Sequence, residues 1–287
     1  MHAVSKQHYE NFPVASFLCP PRLRATVRAI YGFARTADDI ADEGDASPQQ
    51  RMADLQRFQQ ALHACARGEM CFARWPQVFS ALGAALRTHK LPTPLLDDLL
   101  SAFMQDVAKH DYADRSELLD YCRRSANPVG RLLLHLYGIT DPLSLRRADA
   151  ICSALQLINF WQDLSVDGPR GRLYIPLSDA EQHGLTLQQL AQCQDGPAAR
   201  ALIQELCAWA KALIQEGQPL VHQVPGRAGW ELRLVVQGGL RILERIERMQ
   251  YASLVHRPVI KASDIAVMVW RALCMRASTS RMKATNP

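Results

Sequence analysis

Gln156-Leu-Ile-Asn-Phe-Trp-Gln-Asp-Leu-Ser-Val-Asp167 reads as the end of a helix that is apolar on nearly every side. At about 100° per residue, with Gln156 at zero, Asn159 falls near 300°, Asp163 near 340° and Asp167 near 20°, an arc of about 80°. Leu155, Leu157, Ile158, Trp161, Leu164 and Val166 cover the remainder. A helix apolar almost all round is buried, so its one polar strip is expected to face an internal cavity. Carboxylates placed there repel one another and lose hydration unless something neutralises them.

A second acidic strip lies upstream. Leu23, Val27, Ile30, Tyr31 and Ala34 form a helical stripe, and Asp38 falls within about 20° of Val27 and Tyr31. Asp42 follows one turn later, with Asp39 beside the pair. A divalent metal is the economical neutraliser, because Mg²⁺ takes few protein oxygens and completes its shell with water or substrate phosphate. The competing reading is a solvated acidic helix end. Two inward strips that face each other would form a metal–diphosphate site between helices of a bundle. Arg35, one turn before Asp39, and Arg172, just after the second strip, suit an anion because a guanidinium fork binds two oxygens at once.

The rest of the chain is also helical in pattern. Ser47-Pro48, Thr93-Pro94 and Asp141-Pro142 pair a capping side chain with proline at the first helical position, and Asp114-Arg-Ser-Glu117 has capping-box spacing. Apolar residues recur at intervals of three and four, which predicts helices over 21–43, 48–66, 76–89, 94–109, 115–124, 128–137, 143–167, 197–222, 229–255 and 263–277. The stretch 168–196 reads as the longest irregular segment. We expect one all-α domain over 1–287, with 1–7 and 278–287 as flexible tails.

Composition narrows the function. The 287 residues carry 33 Lys+Arg against 28 Asp+Glu without a basic block, which argues against nucleic acid as a partner. The small basic excess suits anionic small substrates or transient contact with a membrane surface. Eight cysteines include no CxxC pair, so they read as small apolar residues in a reducing compartment. With no leader pattern and no long apolar run, a cytoplasmic location, peripheral to the membrane at most, is expected. Nucleotide-loop, serine-hydrolase and zincin motifs do not occur. His110-Asp111 is too short a signal for a metal phosphohydrolase.

Four segments together resemble the squalene/phytoene synthase family: His8-Tyr-Glu-Asn-Phe12, Ala29-Ile-Tyr-Gly-Phe-Ala-Arg-Thr-Ala-Asp-Asp-Ile-Ala-Asp42, Gln156 to Asp167, and Gly171-Arg-Leu-Tyr-Ile-Pro176. The resemblance runs from His8 to about Leu273 and implies an all-α isoprenoid-synthase bundle with a central active-site cavity. It also implies Mg²⁺ as cofactor and a prenyl diphosphate as substrate. By position, Asp38, Asp39 and Asp42 would form the first metal motif, and Asn159, Asp163 and Asp167 the second. Asn11, Arg35, Gln156, Arg172, Tyr174 and Tyr251 would touch substrate or diphosphate, Tyr251 from a late helix. Tyr121 would handle the proton or the cation, alongside Asp38, Asp42 and Asp163 as catalytic groups.

The chain departs from the common family pattern at three places. Asn11 stands where many members carry serine, Gln162 where they carry arginine, and Ser125-Ala-Asn-Pro128 where they carry a Val-Ala-Gly stretch. With Arg123-Arg-Ser-Ala-Asn-Pro-Val-Gly130, these differences resemble the bacterial hydroxysqualene branch of hopanoid biosynthesis, whose substrate is presqualene diphosphate. Condensation of two farnesyl diphosphates is the nearest alternative, and an inactive scaffold or lipid carrier acting with pathway enzymes is the non-enzymatic one.

Overall fold

A computed structural model describes residues 19–69, 74–109 and 111–275. Asn11, His110, Cys71 and both expected tails lie outside the described residues. Thirteen α-helices follow in chain order: α1 (Pro21–Asp42), α2 (Pro48–Ala66), α3 (Pro76–His89), α4 (Thr93–Ala108), α5 (Arg115–Ser125), α6 (Asn127–Leu136), α7 (Pro142–Gln162), α8 (Leu164–Asp167), α9 (Leu177–Gln182), α10 (Leu187–Ala191), α11 (Pro197–Gly217), α12 (Gly226–Arg248) and α13 (Ala262–Cys274). Short 3₁₀ turns cover Gly168–Arg170 and Gln218–His222. Among the described residues the only β pairing is an isolated bridge between Tyr112 and Pro176.

Several helix starts behave as their sequences require. Ser47 accepts from the Gln50 backbone N–H while Gln50 returns the bond, and the Asp114 and Asp141 side chains accept from Glu117 and Ser144. Thr93 differs from its expected role. It is already inside α4, behind Pro92, and makes no side-chain cap. The expected helix over 143–167 is interrupted at Asp163, whose φ of −100° and ψ of 9° leave the helical region before α8 resumes. The expected 197–222 helix tightens to 3₁₀ after Gly217, and 229–255 starts at Gly226 and stops at Arg248. The stretch 168–196 is less irregular than expected, since it contains α9 and α10.

Two apolar cores underlie the arrangement. One joins Phe33, Phe58, Phe79, Leu96 and Leu99 from α1–α4; the other joins Tyr121, Trp161, Ile203 and Val236 from α5, α7, α11 and α12. Helices α4 and α6 contribute to both, through Leu100 and Ala102 and through Leu132 and Leu134. The first acidic strip belongs to a helix of one core and the second to a helix of the other, so the site forms along the seam. Helix α11 closes tightly on α7 at Gly217, where an added Cβ would sit 2.5 Å from Ile151 Cγ1 and 2.6 Å from the Arg147 carbonyl oxygen.

Helix α13 is pinned to α12 by an ion cluster. Asp264 is fully buried and binds both Arg241 and Arg245. Burial alone would raise its pKa, but the Lys261 backbone N–H and the two guanidinium groups outweigh that and hold the carboxyl well below the usual range. Asp264→Ala should therefore destabilise the fold by about 1–3 kcal/mol, since Arg241 keeps Glu244 while Arg245 loses its carboxylate, read as a fall in the thermal midpoint. Because the folded pKa is depressed, the native stabilisation is present above about pH 4 and is lost as pH falls through the folded value.

Candidate active site

Both acidic strips sit at helix C-termini. Asp38, Asp39 and Asp42 occupy the last turn of α1, and Asp163 is the residue that ends α7. The partial negative charge of a helix C-terminus disfavours carboxylates and favours cations. Acidic clusters at two such ends cost stability unless cations meet them.

Arginines meet them here. Arg35 lies 3.2 Å from Asp38 and 2.6 Å from Asp39, and Arg172 grips Asp42 through two bonds of 2.5 and 2.8 Å. Arg51 donates to the carbonyls of Ile40, Glu43 and Gly44, closing the end of α1. Arg257 binds both oxygens of Asp163, at 2.5 and 3.3 Å. Arg172 reaches across because Gly171, at φ 76°, reverses the chain and returns the Arg172 N–H to the Asp167 carbonyl at 3.0 Å. That arginine, following the second strip, bridges to the first. The strips therefore face each other, and Asp163 and Asp42 both help raise the pKa of Asp167, after burial as the main cause.

Exposure corrects one expectation. The side chains of Asp38, Asp39 and Asp42 are 39, 45 and 32% exposed, so the first strip lines an accessible rim rather than an enclosed interior. Asn159 is exposed as well, while Gln156, Asp163 and Asp167 are half-buried. Two shallow, open hollows lie beside Met52 and Val107 and beside Lys109, Gly171 and Leu187.

Behind the rim lies an aromatic wall. Tyr174 stacks on Phe160 with centroids 3.7 Å apart, and Tyr121 approaches Tyr112, Phe160 and Tyr174 at 5.5–6.1 Å. Loop contacts bring these rings together, since the Leu177 and Ser178 N–H groups bind the carbonyls of Tyr112 and Ala113. The Tyr121 hydroxyl donates to Asp106 at 2.8 Å, and the Tyr174 hydroxyl lies 3.5 Å from the other carboxylate oxygen. Burial pushes the Asp106 carboxyl up to about 7, against the lowering effect of the Tyr121 hydrogen bond and with Asp42 and Asp38 adding to the rise. Burial likewise raises the Tyr121 and Tyr174 phenols well above their ordinary value.

Sequence reasoning missed two residues of this arrangement, Asp106 and Arg257. For Asp106 a signal existed: it lies seven residues after Leu99 and four after Ala102, both buried, so it falls on the apolar stripe of α4. Arg257 sits in a loop and carried none. Tyr251, expected in a late helix, is not helical. It lies beyond the end of α12 in a left-handed turn at φ 61°, and the polar groups acting on it are Glu247 and Cys207. Arg123 and Arg124 bind Asp120, Ser101 and Gln105 away from the strips.

Among the described residues no group of three or more carboxylate, histidine or cysteine side chains is gathered into a ready metal cage. The donors nonetheless fit Mg²⁺, which needs only one or two hard carboxylates and draws the rest of its shell from phosphate and water. Asp39 Oδ1 is held 2.6 Å from the Arg35 guanidinium, so a cation bound there would take the place of that ion pair. The described cysteines are all free, and burial raises Cys122, Cys152 and Cys207 to about 12, so they are inert packing groups.

The all-helical bundle is of the squalene synthase-type isoprenoid-synthase fold. The chain belongs to the squalene/phytoene synthase family, whose match covers residues 5–264 and whose members act on prenyl diphosphates. It is 33% identical over 240 residues to a hydroxysqualene synthase of Rhodopseudomonas palustris, covering 83% of this chain and 80% of that protein. It is 37% identical over 209 residues to the hydroxysqualene synthase of Zymomonas mobilis, covering 72 and 68% of the two chains. The crystal structure of squalene synthase HpnC from Alicyclobacillus acidocaldarius superposes with a TM-score of 0.77 at 38% identity, over 85% of this chain and 90% of that one.

Proposed function

We propose that this chain, as one catalytic domain over 1–287, is a hydroxysqualene synthase. It ionises presqualene diphosphate, and water captures the rearranged cation to give hydroxysqualene and diphosphate. The observation that carries the reading is the Tyr121–Asp106 hydrogen bond, set within the aromatic wall behind the acidic rim. The names of the two bacterial relatives support the choice of product.

Mg²⁺ held by Asp38, Asp39 and Asp42 and by Asn159, Asp163 and Asp167 would supply Lewis-acid polarisation of the diphosphate. Arg35, Arg172 and Arg257 exchange their carboxylate partners for diphosphate oxygens and stabilise the charge that develops as the C–O bond breaks. The faces of Phe160, Tyr174 and Tyr121 stabilise the carbocation. When water adds through its oxygen, one proton must leave, and Tyr121 passes it to the Asp106 carboxylate, whose basicity burial raises. A cytoplasmic location fits this chemistry, and among the described residues no helix is long and apolar enough to cross a membrane.

One observation favours the condensing alternative. Gln162 is buried and donates to the Pro258 carbonyl, yet this same contact holds the loop whose Arg257 faces Asp163, so a cation is present although position 162 lacks one. Purified protein with Mg²⁺ and either presqualene diphosphate or farnesyl diphosphate, without NADPH, separates the readings by mass spectrometry. Hydroxysqualene from presqualene diphosphate alone is expected. Presqualene diphosphate formed from farnesyl diphosphate would move the chain to the condensing reaction, and binding without turnover would make it a carrier.

A further inference from the structure

Helix α13 is built inside out on one side. Asp264, Met268 and Ala272 recur every four residues and face α12, as a surface helix requires. The opposite arc should then be polar. Instead it carries Ile265, Val269, Trp270 and Leu273, exposed by 55, 43, 67 and 57%. Val255 and Val259, in the preceding loop, are 47 and 44% exposed. Of the ten large exposed apolar side chains among the described residues, six thus fall within 255–273. A concentration of this kind marks an interaction surface, whereas single exposed apolar residues do not.

Charge identifies the occupant. Residues 255–287 contain six Lys/Arg (Arg257, Lys261, Arg271, Arg276, Arg281 and Lys283) against one acidic residue; Arg257 pairs with Asp163 and Arg271 with Glu244, which leaves Lys261 and the three cations of the sequence after α13 to act on a partner. That acid, Asp264, is buried and already neutralised by Arg241 and Arg245. The net +5 of this segment equals the net charge of the whole chain. An apolar ridge with an exposed tryptophan, with Lys261 at its start and a sequence after it that carries three further cations and no acid, fits the headgroup region of an anionic bilayer, where the ring sits at the interface and Lys/Arg attract the lipid charge. The loop also connects this ridge to the site. Val255 and Val259 flank Arg257, which binds Asp163, and the Pro258 carbonyl accepts from Gln162.

We propose that the α13 ridge, with the 255–261 loop, docks on an anionic lipid surface and presents the mouth of the site to it. Docking depends on exposure and charge and not on the reaction, so vesicle binding without substrate tests it apart from the proposed activity. In flotation with phosphatidylcholine vesicles containing about a third phosphatidylglycerol, the full chain is expected to float. Binding should weaken at least ~10-fold in pure phosphatidylcholine and again at high salt. Trp270→Ser and Ile265→Ser should each lower partitioning by ~10-fold or more, while Leu143→Ser, a comparably exposed residue outside the segment, should not. Circular dichroism verifies folding of each variant, and a blue shift of wild-type tryptophan fluorescence on vesicles, absent in Trp270→Ser, provides a second readout. No flotation on anionic vesicles, or equal flotation of the wild type and Trp270→Ser, overturns the proposal. So does a dimer in sedimentation velocity that Trp270→Ser dissolves while vesicles fail to bind, since a second copy would then cover the ridge.

Discussion

Asp42→Ala and Asp163→Ala are each expected to abolish turnover, a loss exceeding the ~10²–10³-fold that follows removal of a single electrostatic stabiliser. The two substitutions remove carboxylates from opposite strips, and the proposed site needs both. Their structural cost should be small. The Arg172–Asp42 pair is 30 and 32% exposed, and partly solvated pairs contribute only up to about 1 kcal/mol. Asp163 is more shielded, at 17%, but its partner Arg257 is 32% exposed and can rehydrate. Helix content by circular dichroism should therefore be unchanged. Without Mg²⁺, diphosphate affinity should hold or tighten, because each substitution frees an arginine that the carboxylate otherwise occupies. Rapid-quench measurement of diphosphate release separates the two effects. Unimpaired release in either variant would reduce the aspartates to partners of their arginines and remove the basis for the two-strip site.

Asp106→Asn is expected to stabilise the metal-free protein at alkaline pH while slowing the reaction. Burial, only partly offset by the Tyr121 hydroxyl and with Asp42 adding to the rise, lifts the Asp106 carboxyl from an ordinary 3.8 to about 7. A folded pKa raised above the unfolded value contributes stability below about pH 4, and that contribution is lost as pH rises through about 7. At pH 8 the wild type bears a buried charge, and asparagine of nearly the same shape does not. The gain should grow from near zero at pH 4 to at most about 4 kcal/mol at pH 8, a pKa unit being about 1.4 kcal/mol. Asparagine can still accept from the Tyr121 hydroxyl but cannot take its proton, so turnover should fall by ~10²-fold or more, as in Tyr121→Phe. Thermal melts across pH with parallel product assays decide the matter. A variant less stable than wild type at pH 8, or one with undiminished turnover, contradicts the role assigned to the pair.

The helical class, most helix spans and the two acidic strips were legible in the sequence because each depends on neighbours three or four residues away. Ser47, Asp114 and Asp141 cap within one turn, and Asp38 and Asp42 share a face through rotation alone. The same local arithmetic failed at Asp163, where the helix breaks, because carrying a straight helix from Gln156 to Asp167 assumes dihedrals that tertiary contacts can override. Partnerships across long separations were not legible. Arg172 meets Asp42 from 130 residues away, Arg257 meets Asp163 from 94, and Tyr121 and Tyr174 reach Asp106 from 15 and 68. Periodicity sets the face on which a side chain stands. Which charge lies opposite, how far the rim opens to solvent and how strongly burial shifts Asp106 depend on how two cores pack along their seam, and no spacing along the chain encodes that.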